Sequence, residues 1–182
     1  FSIFLTSVKG LHKNNPITEV WHLAASSDIA AGVKDANIDL KDTFMTTFNT
    51  LQVMQKLSIG KLFFASSSAI YGDFSGEKVS EDVGPLFPIS NYGAMKLSYE
   101  ALISSSVEFF LEKACIFRFP NVVGIPATHG VILDFIRKLK SNPLKLQVLG
   151  NGKQKKSYMH VEDLIEAMLF IDSNTNNGNN YF

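Results

Sequence analysis

The sequence has little cysteine, no net charge and no long apolar run, and each shortage excludes a class of protein. The 182 residues hold one cysteine, Cys115, so no disulfide can form within the chain, which is typical of a reducing compartment. Seventeen basic residues balance seventeen acidic ones, so there is no general attraction to nucleic acid or to an anionic membrane. No apolar run approaches the length of a transmembrane helix. We therefore expect a cytoplasmic protein that binds neither nucleic acid nor membranes.

The chain does have 46% apolar residues, arranged with the periods of strands and helices. Short apolar runs predict strands at 19–25, 61–65, 114–119 and 146–149. Longer runs predict amphipathic helices at 36–57, 92–112, 131–139 and 161–171. Short strands separated by long helices indicate βαβ units and a parallel α/β sheet. Residues 1–8 fit a strand or the end of a helix, 72–91 and 174–180 are predicted loops, and 180–182 look like part of a strand.

The feature that points to catalysis is a tyrosine and a lysine one helical turn apart, after a cluster of serines. If a helix begins at Tyr92, Lys96 lies on the same face, and both side chains reach one ligand. An ammonium beside a phenol favours the phenolate, lowering a pKa of about 10 toward the range of a general base. Chance also produces such pairs on solvated helix surfaces. The serines 66–68 favour catalysis, because open α/β sheets bind ligands where their strands end.

Five segments in this order carry a family resemblance: Val20–Ala25, Phe64–Gly72, Asn91–Lys96, Arg118–Gly124 and Gly150–Val161. They resemble the His-Leu-Ala-Ala, Ser-Ser-x-x-x-Tyr-Gly, Tyr-Gly-x-x-Lys, Arg-x-x-Asn-x-x-Gly and Gly-Asp-Gly…Arg-Asp-Tyr-Ile-His-Val motifs of the extended short-chain dehydrogenase/reductases, especially the nucleotide-sugar epimerases. The resemblance covers nearly the whole chain. It implies a Rossmann-type doubly wound parallel sheet that is incomplete at the N-terminus. Residues 1–120 would form part of the dinucleotide-binding domain, and 121–182 mainly a smaller substrate-binding subdomain interleaved with it.

The resemblance also implies roles for particular side chains. Ser67, or alternatively Ser68 if the serine run is registered differently, would hydrogen-bond the reacting sugar oxygen. Tyr92 would exchange its proton, and Lys96 would bind the nicotinamide ribose. The implied cofactor-binding residues are Leu23, Ala24, Ala25, Thr46, Ala65, Tyr92, Lys96 and Phe119. The implied substrate-binding residues are Ser67, Ser68, Asn121 and Lys156, although Asn121 could instead be a turn residue after Pro120.

The chain departs from the family's pattern at several positions. The Gly-x-x-Gly-x-x-Gly motif that holds the dinucleotide pyrophosphate is absent, as is the acidic residue after it, and we expect both to precede Phe1 in the native protein. Thr46 replaces an asparagine, and Lys156 replaces an arginine, supplying a charge without the bidentate fork. His22 and His160 lie in strand-like motifs and are predicted to be structural. No spacing indicates a metal site.

These observations predict a NAD-dependent epimerase, or alternatively one that uses NADP, that oxidises a nucleoside-diphosphate sugar to a transient keto sugar. Ser68 and Ala69 occupy the positions where dehydratases and decarboxylases of the family carry acidic residues, which favours epimerisation or ketone reduction. The alternatives are a reductase of the same fold acting on another carbonyl and a non-catalytic dinucleotide-sensing protein. The absence of a Gly-x-Ser-x-Gly motif disfavours a serine hydrolase. The two long helices resemble those that pair in the family's homodimers, so we expect a homodimer, with apolar side chains available at Phe44, Phe48, Leu102 and Phe109.

Overall fold

The helices and strands are taken from a computed structural model, which describes residues 1–73, 78–127 and 130–182. The helices are α1 (Ser2–Asn14), α2 (Ile29–Lys34), α3 (Ala36–Asp39), α4 (Thr46–Leu57), α5 (Asn91–Val107), α6 (Val131–Ser141) and α7 (Val161–Asn174). The strands are β1 (Glu19–His22), β2 (Lys61–Ala65), β3 (Lys113–Phe117), β4 (Asn121–Val123), β5 (Tyr158–His160) and β6 (Gly178–Tyr181). A π-helical segment, Leu40–Met45, joins α3 to α4, and a 3-10 turn, Ser68–Ile70, follows β2. Among the described residues, no helix has both the length and the apolar character needed to cross a membrane.

These elements belong to two compact units. The first unit comprises Phe1–Phe119 and Asn174–Phe182, and the second comprises Pro120–Ser173. The first unit holds a sheet of strand order β1-β2-β3-β6, and every neighbouring pair is parallel. The second unit holds the parallel pair β4-β5. The predicted parallel α/β fold is confirmed, while the assignment of the two parts of the chain to a dinucleotide-binding domain and a substrate-binding subdomain stays a prediction.

The core of the first unit lies between helices and the two central strands. All five residues of β3 are buried, as are four of the five in β2, because strands covered on both faces bury every side chain. Phe44, Phe48 and Leu102, which the sequence offered for a dimer interface, pack against this core within their own unit. The buried cluster consists of Leu51, Met54, Ile59, Leu62, Phe64, Tyr99, Ile103, Leu111, Ala114 and Ile116.

Truncation of Ile116 in the middle of this core is expected to destabilise the protein. The side chain is fully buried, so Ile116→Ala removes packed methyl groups and leaves a cavity, which lowers the free energy of unfolding by about 2–5 kcal/mol. Chemical denaturation of the full-length protein measures the change. The matched control is Ile3→Ala, since Ile3 is 82% exposed on α1, and a change of no more than about 0.5 kcal/mol is expected there. Equal losses in both variants would contradict this assignment of the core.

Several sequence-based boundaries are wrong, and the most informative is the strand predicted at 146–149. No strand forms there: the Gln147 carbonyl accepts a hydrogen bond from the Lys138 ammonium at 3.1 Å, and Leu149 is 78% exposed. The apolar run therefore has no neighbouring strand to pair with. Of the two possibilities for residues 1–8, the helix is correct, because these residues belong largely to α1. The predicted loop at 174–180 includes the first residues of β6.

The two long helices were predicted in the right places with inexact ends. The helix predicted at 36–57 is divided by the π-helical segment, and the one predicted at 92–112 ends as α5 at Val107. Of the predicted loop at 72–91, residues 74–77 lie outside the described residues; residues 72–73 and 78–90 form neither helix nor strand. Gly72 in this loop has a φ of +78°, and a Cβ there would meet the Phe87 carbonyl oxygen, so the close approach of the two loop ends requires glycine.

Candidate active site

The carboxyl end of β2 and the start of α5 bring Ser67 and Tyr92 together. Ser67 is extended and caps the following 3-10 turn, its hydroxyl accepting a hydrogen bond from the backbone N–H of Ala69 at 3.2 Å. Gly93 packs directly on this turn, since a Cβ at Gly93 would lie 2.5 Å from the Ala69 carbonyl oxygen. Only a residue without a side chain permits this approach. The Tyr-Gly pair of the motif therefore places the tyrosine beside the serine turn.

Helix α5 begins where the sequence predicts, because Ser90 caps it. The Ser90 hydroxyl accepts a hydrogen bond from the Gly93 backbone N–H at 3.1 Å, satisfying one of the free donors of the first turn. The adjacent Asn91 side chain donates a hydrogen bond to the Gly32 carbonyl at 3.0 Å, which ties the start of α5 to α2. Tyr92 therefore lies in the first turn, with Lys96 on the next turn of the same face.

The structure corrects the predicted direction of the Tyr92 pKa. Burial raises the pKa of the phenol above its ordinary value, the hydrogen bond with the Ser67 side chain lowers it, and the nearby Asp39 carboxylate raises it. The Lys96 ammonium, 5.8 Å from the centroid of the Tyr92 ring, does not outweigh this burial. Spacing on the helix indicates that the two groups are neighbours, but it does not report how little water surrounds the phenol.

Lys96 is almost fully buried at 1% exposure. Its ammonium donates a 2.5 Å hydrogen bond to the Ala65 carbonyl at the end of β2 and lies 4.7 Å from the centroid of the Phe64 ring. Burial lowers the pKa of Lys96 to about 8, against the opposing effect of the Glu100 carboxylate. The helix-surface interpretation of the Tyr92/Lys96 pair is therefore wrong, because a solvated lysine would be exposed.

The other predicted cofactor residues lie near the ends of β1, β2 and β3. Leu23 and Ala24 are exposed and Ala25 is half-buried, directly after β1, which pairs with β2. The Phe119 carbonyl accepts a hydrogen bond from the Ser68 backbone N–H at 2.9 Å, so Phe119 adjoins the serine turn. Thr46, the first residue of α4, shares its hydroxyl proton between the carbonyls of Asp42 and Thr43 in the preceding π-helical segment. The structure thus brings Ser67, Ser68, Tyr92, Lys96, Ala65 and Phe119 together.

A cavity of about 500 Å³ lies beside β1, but it does not include the serine, tyrosine or lysine. Of the predicted cofactor residues, Ala24 and Thr46 line it, next to His22. The other described residues that line it are mostly apolar and include no lysine or arginine: Phe4, Val8, Ile17, Val20, Asn49, Thr50, Val53, Met54 and Ile59.

The predicted substrate residues Asn121 and Lys156 belong to the second unit, in which their backbones are neighbours. Asn121 begins β4 and pairs with Tyr158 of β5. Its side-chain amide donates a hydrogen bond to the Ser157 carbonyl at 3.1 Å, and the adjacent Lys156 is exposed. The interpretation of Asn121 as a turn residue is therefore wrong, while its role in binding stays a prediction.

Sequence reasoning missed the polar contacts that support these residues. The Nε2 atom of His22 lies 2.8 Å from the Thr47 hydroxyl, and burial, followed by the charge of Lys96, lowers the pKa of His22 to about 4. Glu100 was also missed, although it lies one turn beyond Lys96 on α5, a spacing that itself suggests an ion pair.

Comparison with known proteins decides the family. Residues 5–181 match the model of the NAD-dependent epimerase/dehydratase family. The chain belongs to this family. The resemblance inferred from the five motifs is thereby confirmed, as is the Rossmann-type fold class, because solved epimerases share the arrangement of this chain.

Similar members of the family are named as enzymes of nucleotide sugars. A putative UDP-glucose 4-epimerase of Methanocaldococcus jannaschii is 32% identical over 155 residues, which covers 82% of this chain and 50% of the relative. A crystal structure of UDP-galactose 4-epimerase matches with 33% identity and a TM-score of 0.78, covering 89% of this chain and 52% of that one. The UDP-glucose 4-epimerase of Thermus thermophilus in complex with NAD matches with 26% identity and a TM-score of 0.81, covering 98% and 59%. The chain spans about half the length of the relatives that it matches.

Proposed function

We propose that the protein is a NAD-dependent epimerase of a nucleoside-diphosphate sugar. The observation that carries this proposal is the hydrogen-bonded pair of Ser67 and Tyr92 beside the buried Lys96, at the edge of a parallel sheet where such folds bind ligands. A binding protein has no need for these three groups together. The names of the relatives support a nucleotide sugar as the substrate.

The donors at this edge fit the nicotinamide half of a dinucleotide. The Ala65 carbonyl takes only one of the three protons of the Lys96 ammonium, which leaves donors for ribose hydroxyls. The small side chains of Ala24 and Ala25 after β1 let a flat ligand approach the backbone. NAD bound there would supply a hydride acceptor for the sugar carbon.

In the proposed reaction the side chains of this chain handle the proton. Ser67 hydrogen-bonds the reacting sugar oxygen and orients it toward Tyr92. The Tyr92 phenolate oxygen takes the hydroxyl proton as the carbon is oxidised to a ketone, and the phenol gives the proton back when the ketone is reduced from the opposite face. Because burial favours the neutral phenol, the phenolate needs positive charge nearby, and the Lys96 ammonium on the next turn of α5 is the group placed to provide it.

The remaining parts of the proposal concern the substrate's phosphates and the assembly. Asn121 and the exposed Lys156 meet the diphosphate. Phe109, two residues beyond the end of α5, is 78% exposed and contributes apolar surface to a homodimer, whereas Phe44, Phe48 and Leu102 already pack on their own core. A cytoplasmic location belongs to the same proposal.

The experiment that tests this function is an assay of the full-length protein with NAD and a panel of nucleoside-diphosphate hexoses. Interconversion of two sugar epimers without net consumption of cofactor, followed by NMR, is the expected result. Net reduction of a carbonyl substrate with oxidation of the reduced cofactor would instead favour the reductase. Binding of NAD without turnover of any substrate would favour a sensing protein.

The two candidate serines are expected to differ in their effect on turnover. Ser67→Ala removes the hydroxyl that contacts Tyr92 and is expected to lower kcat by about 10²-fold. Ser68→Ala is expected to cost less, since the Ser68 side chain is exposed. Steady-state kinetics on the sugar identified by the panel measures both. A larger loss for Ser68→Ala than for Ser67→Ala would assign the catalytic hydroxyl to Ser68.

A further inference from the structure

A network of polar side chains lies beside the candidate active site and is not part of the proposed reaction. We call Ser66, Glu100, Arg118 and Tyr71 the Glu100 network. Glu100 is 3% exposed and Ser66 is 2% exposed, so their polar atoms need partners inside the protein. The three contact residues come from different places: Ser66 follows β2, Tyr71 follows the 3-10 turn, and Arg118 follows β3.

The hydrogen bonds of the Glu100 network converge on one carboxylate. The Ser66 hydroxyl donates to Oε1 of Glu100 at 2.5 Å. The Arg118 guanidinium donates to both carboxylate oxygens, the shortest bond being Nη2 to Oε2 at 2.8 Å. Arg118 also donates to the Tyr71 hydroxyl at 3.2 Å and to the Glu81 carbonyl at 2.6 Å. The planar guanidinium fixes the position of the carboxylate through these bonds. The carboxylate in turn fixes the Ser66 hydroxyl that donates to it.

Glu100 is connected to the proposed catalytic residues in two ways. First, its hydrogen bond anchors Ser66, the residue directly before Ser67, where the chain leaves β2 and enters the 3-10 turn. Along α5 it lies one turn beyond Lys96, and both side chains are buried, so the two opposite charges interact with little screening by water.

We propose that Glu100 is a positioning residue of this active site, which fixes the Ser67 turn through Ser66 and places a buried negative charge one helical turn from Lys96. The inference rests on the proposed function, because it assigns Glu100 a task in the proton transfer by Ser67, Tyr92 and Lys96. Arg118 is the partner that makes the buried carboxylate stable, since an unpaired buried charge would be costly.

Other charged groups act on the same site and must be considered in any pH profile. The buried charge of Asp39 opposes ionisation of Tyr92, and the burial of Lys96 itself favours loss of its proton. Glu100 is the acidic group that counteracts that loss. Within the described part of the chain, the titratable and charged groups around Lys96, Tyr92 and Glu100 include His22 from β1, Asp39 from α3, Tyr71 after the 3-10 turn and Arg118 after β3.

The test compares Glu100→Gln, Glu100→Asp and Ser66→Ala in the full-length protein. Glu100→Gln keeps the shape and removes the charge, so Lys96 loses its proton at lower pH. We expect the alkaline limb of the plot of kcat against pH to shift to lower pH by about one unit. We also expect kcat at its optimum to fall by about 10-fold to 10²-fold, while KM for the sugar changes little. The Lys96 side chain can be titrated by NMR, its signals being assigned with a Lys96→Arg variant, and the midpoint of this titration is expected to shift to lower pH as well.

The other variants separate charge from position. Glu100→Asp keeps the charge, so its alkaline limb is expected to stay near the native one although kcat falls. Ser66→Ala is expected to lower kcat without moving the limb, because the charge is untouched. Glu108→Gln is the matched control, since Glu108 is exposed at the end of the same helix and its replacement is expected to leave kcat and the pH profile unchanged.

Two results would overturn the inference. One is an alkaline limb and a Lys96 titration in Glu100→Gln that match the native protein. The other is an equal loss of kcat in Glu100→Gln and Glu100→Asp without a shift of the alkaline limb in either variant. That result would indicate a purely structural role. If Lys96 titrates at lower pH in Glu100→Gln but the native protein turns over no nucleotide sugar, the effect of Glu100 on Lys96 is supported and the proposed function fails.

Discussion

Replacing Tyr92 by phenylalanine is expected to lower kcat for the proposed epimerisation by about 10²–10⁴-fold, because the ring stays in place and only the hydroxyl proposed to carry the proton is lost. The half-buried ring packs in the first turn of α5, and phenylalanine fills the same space. NAD affinity is therefore expected to remain close to native. Steady-state kinetics and calorimetric NAD binding on the full-length protein measure the two quantities separately.

The control for Tyr92→Phe is Ser98→Ala on the same helix. Ser98 is exposed, and its hydroxyl donates to the Ala94 carbonyl of the preceding turn, so kcat is expected to be unchanged. Native turnover by the phenylalanine variant would refute Tyr92 as the group that exchanges the proton. Loss of both turnover and NAD binding would show that the tyrosine acts by shaping the site.

Replacing Lys96 by methionine is expected to lower kcat by about 10²-fold or more and also to weaken NAD binding. The substitution removes the positive charge that favours the Tyr92 phenolate and the donor proposed for the nicotinamide ribose. It also leaves the Ala65 carbonyl without its hydrogen bond, at a cost of about 1–3 kcal/mol in unfolding free energy. Kinetics, NAD titration and chemical denaturation on one preparation measure the three effects.

Lys113→Met provides a matched control for this variant. Lys113 is also buried, at 5% exposure, and its ammonium lies 5.4 Å from the centroid of the Phe63 ring. It stands at the amino end of β3, the opposite end of the strand from the serine turn. Its replacement is expected to affect stability but not kcat. Equal losses of kcat in the two variants would attribute the effect of Lys96→Met to general destabilisation.

Much of the fold was predictable because apolar runs report burial directly. The runs at 61–65 and 114–119 correspond to β2 and β3, the two most buried strands of the sheet. The run at 146–149 has a similar composition and forms no strand, since pairing depends on a neighbour that local sequence does not reveal. The short pairing of Asn121–Val123 with Tyr158–His160 was missed for the same reason, because its two strands are far apart in the chain.

The candidate site also has features that the sequence predicted and features that it did not. Tyr92 and Lys96 were found from their spacing, which a helix converts into proximity. The choice between Ser67 and Ser68 was open, because it depends on how Gly93 packs against the serine turn. The pKa direction of Tyr92 was wrong, since desolvation comes from every element around the phenol and not from its neighbour on the helix.

The sequence by itself determined the family, the parallel sheet and the set of groups that we propose for proton transfer, because motifs and local periodicity record residue identity and spacing. Only the tertiary structure decided which serine contacts Tyr92, how burial shifts the pKa values of Tyr92 and Lys96, and that Glu100 joins Ser66 to Arg118. Ser66 and Glu100 are 34 positions apart in the chain. Contacts of this kind form only when the strands and α5 pack together, and electrostatic energies depend on the water that such packing removes.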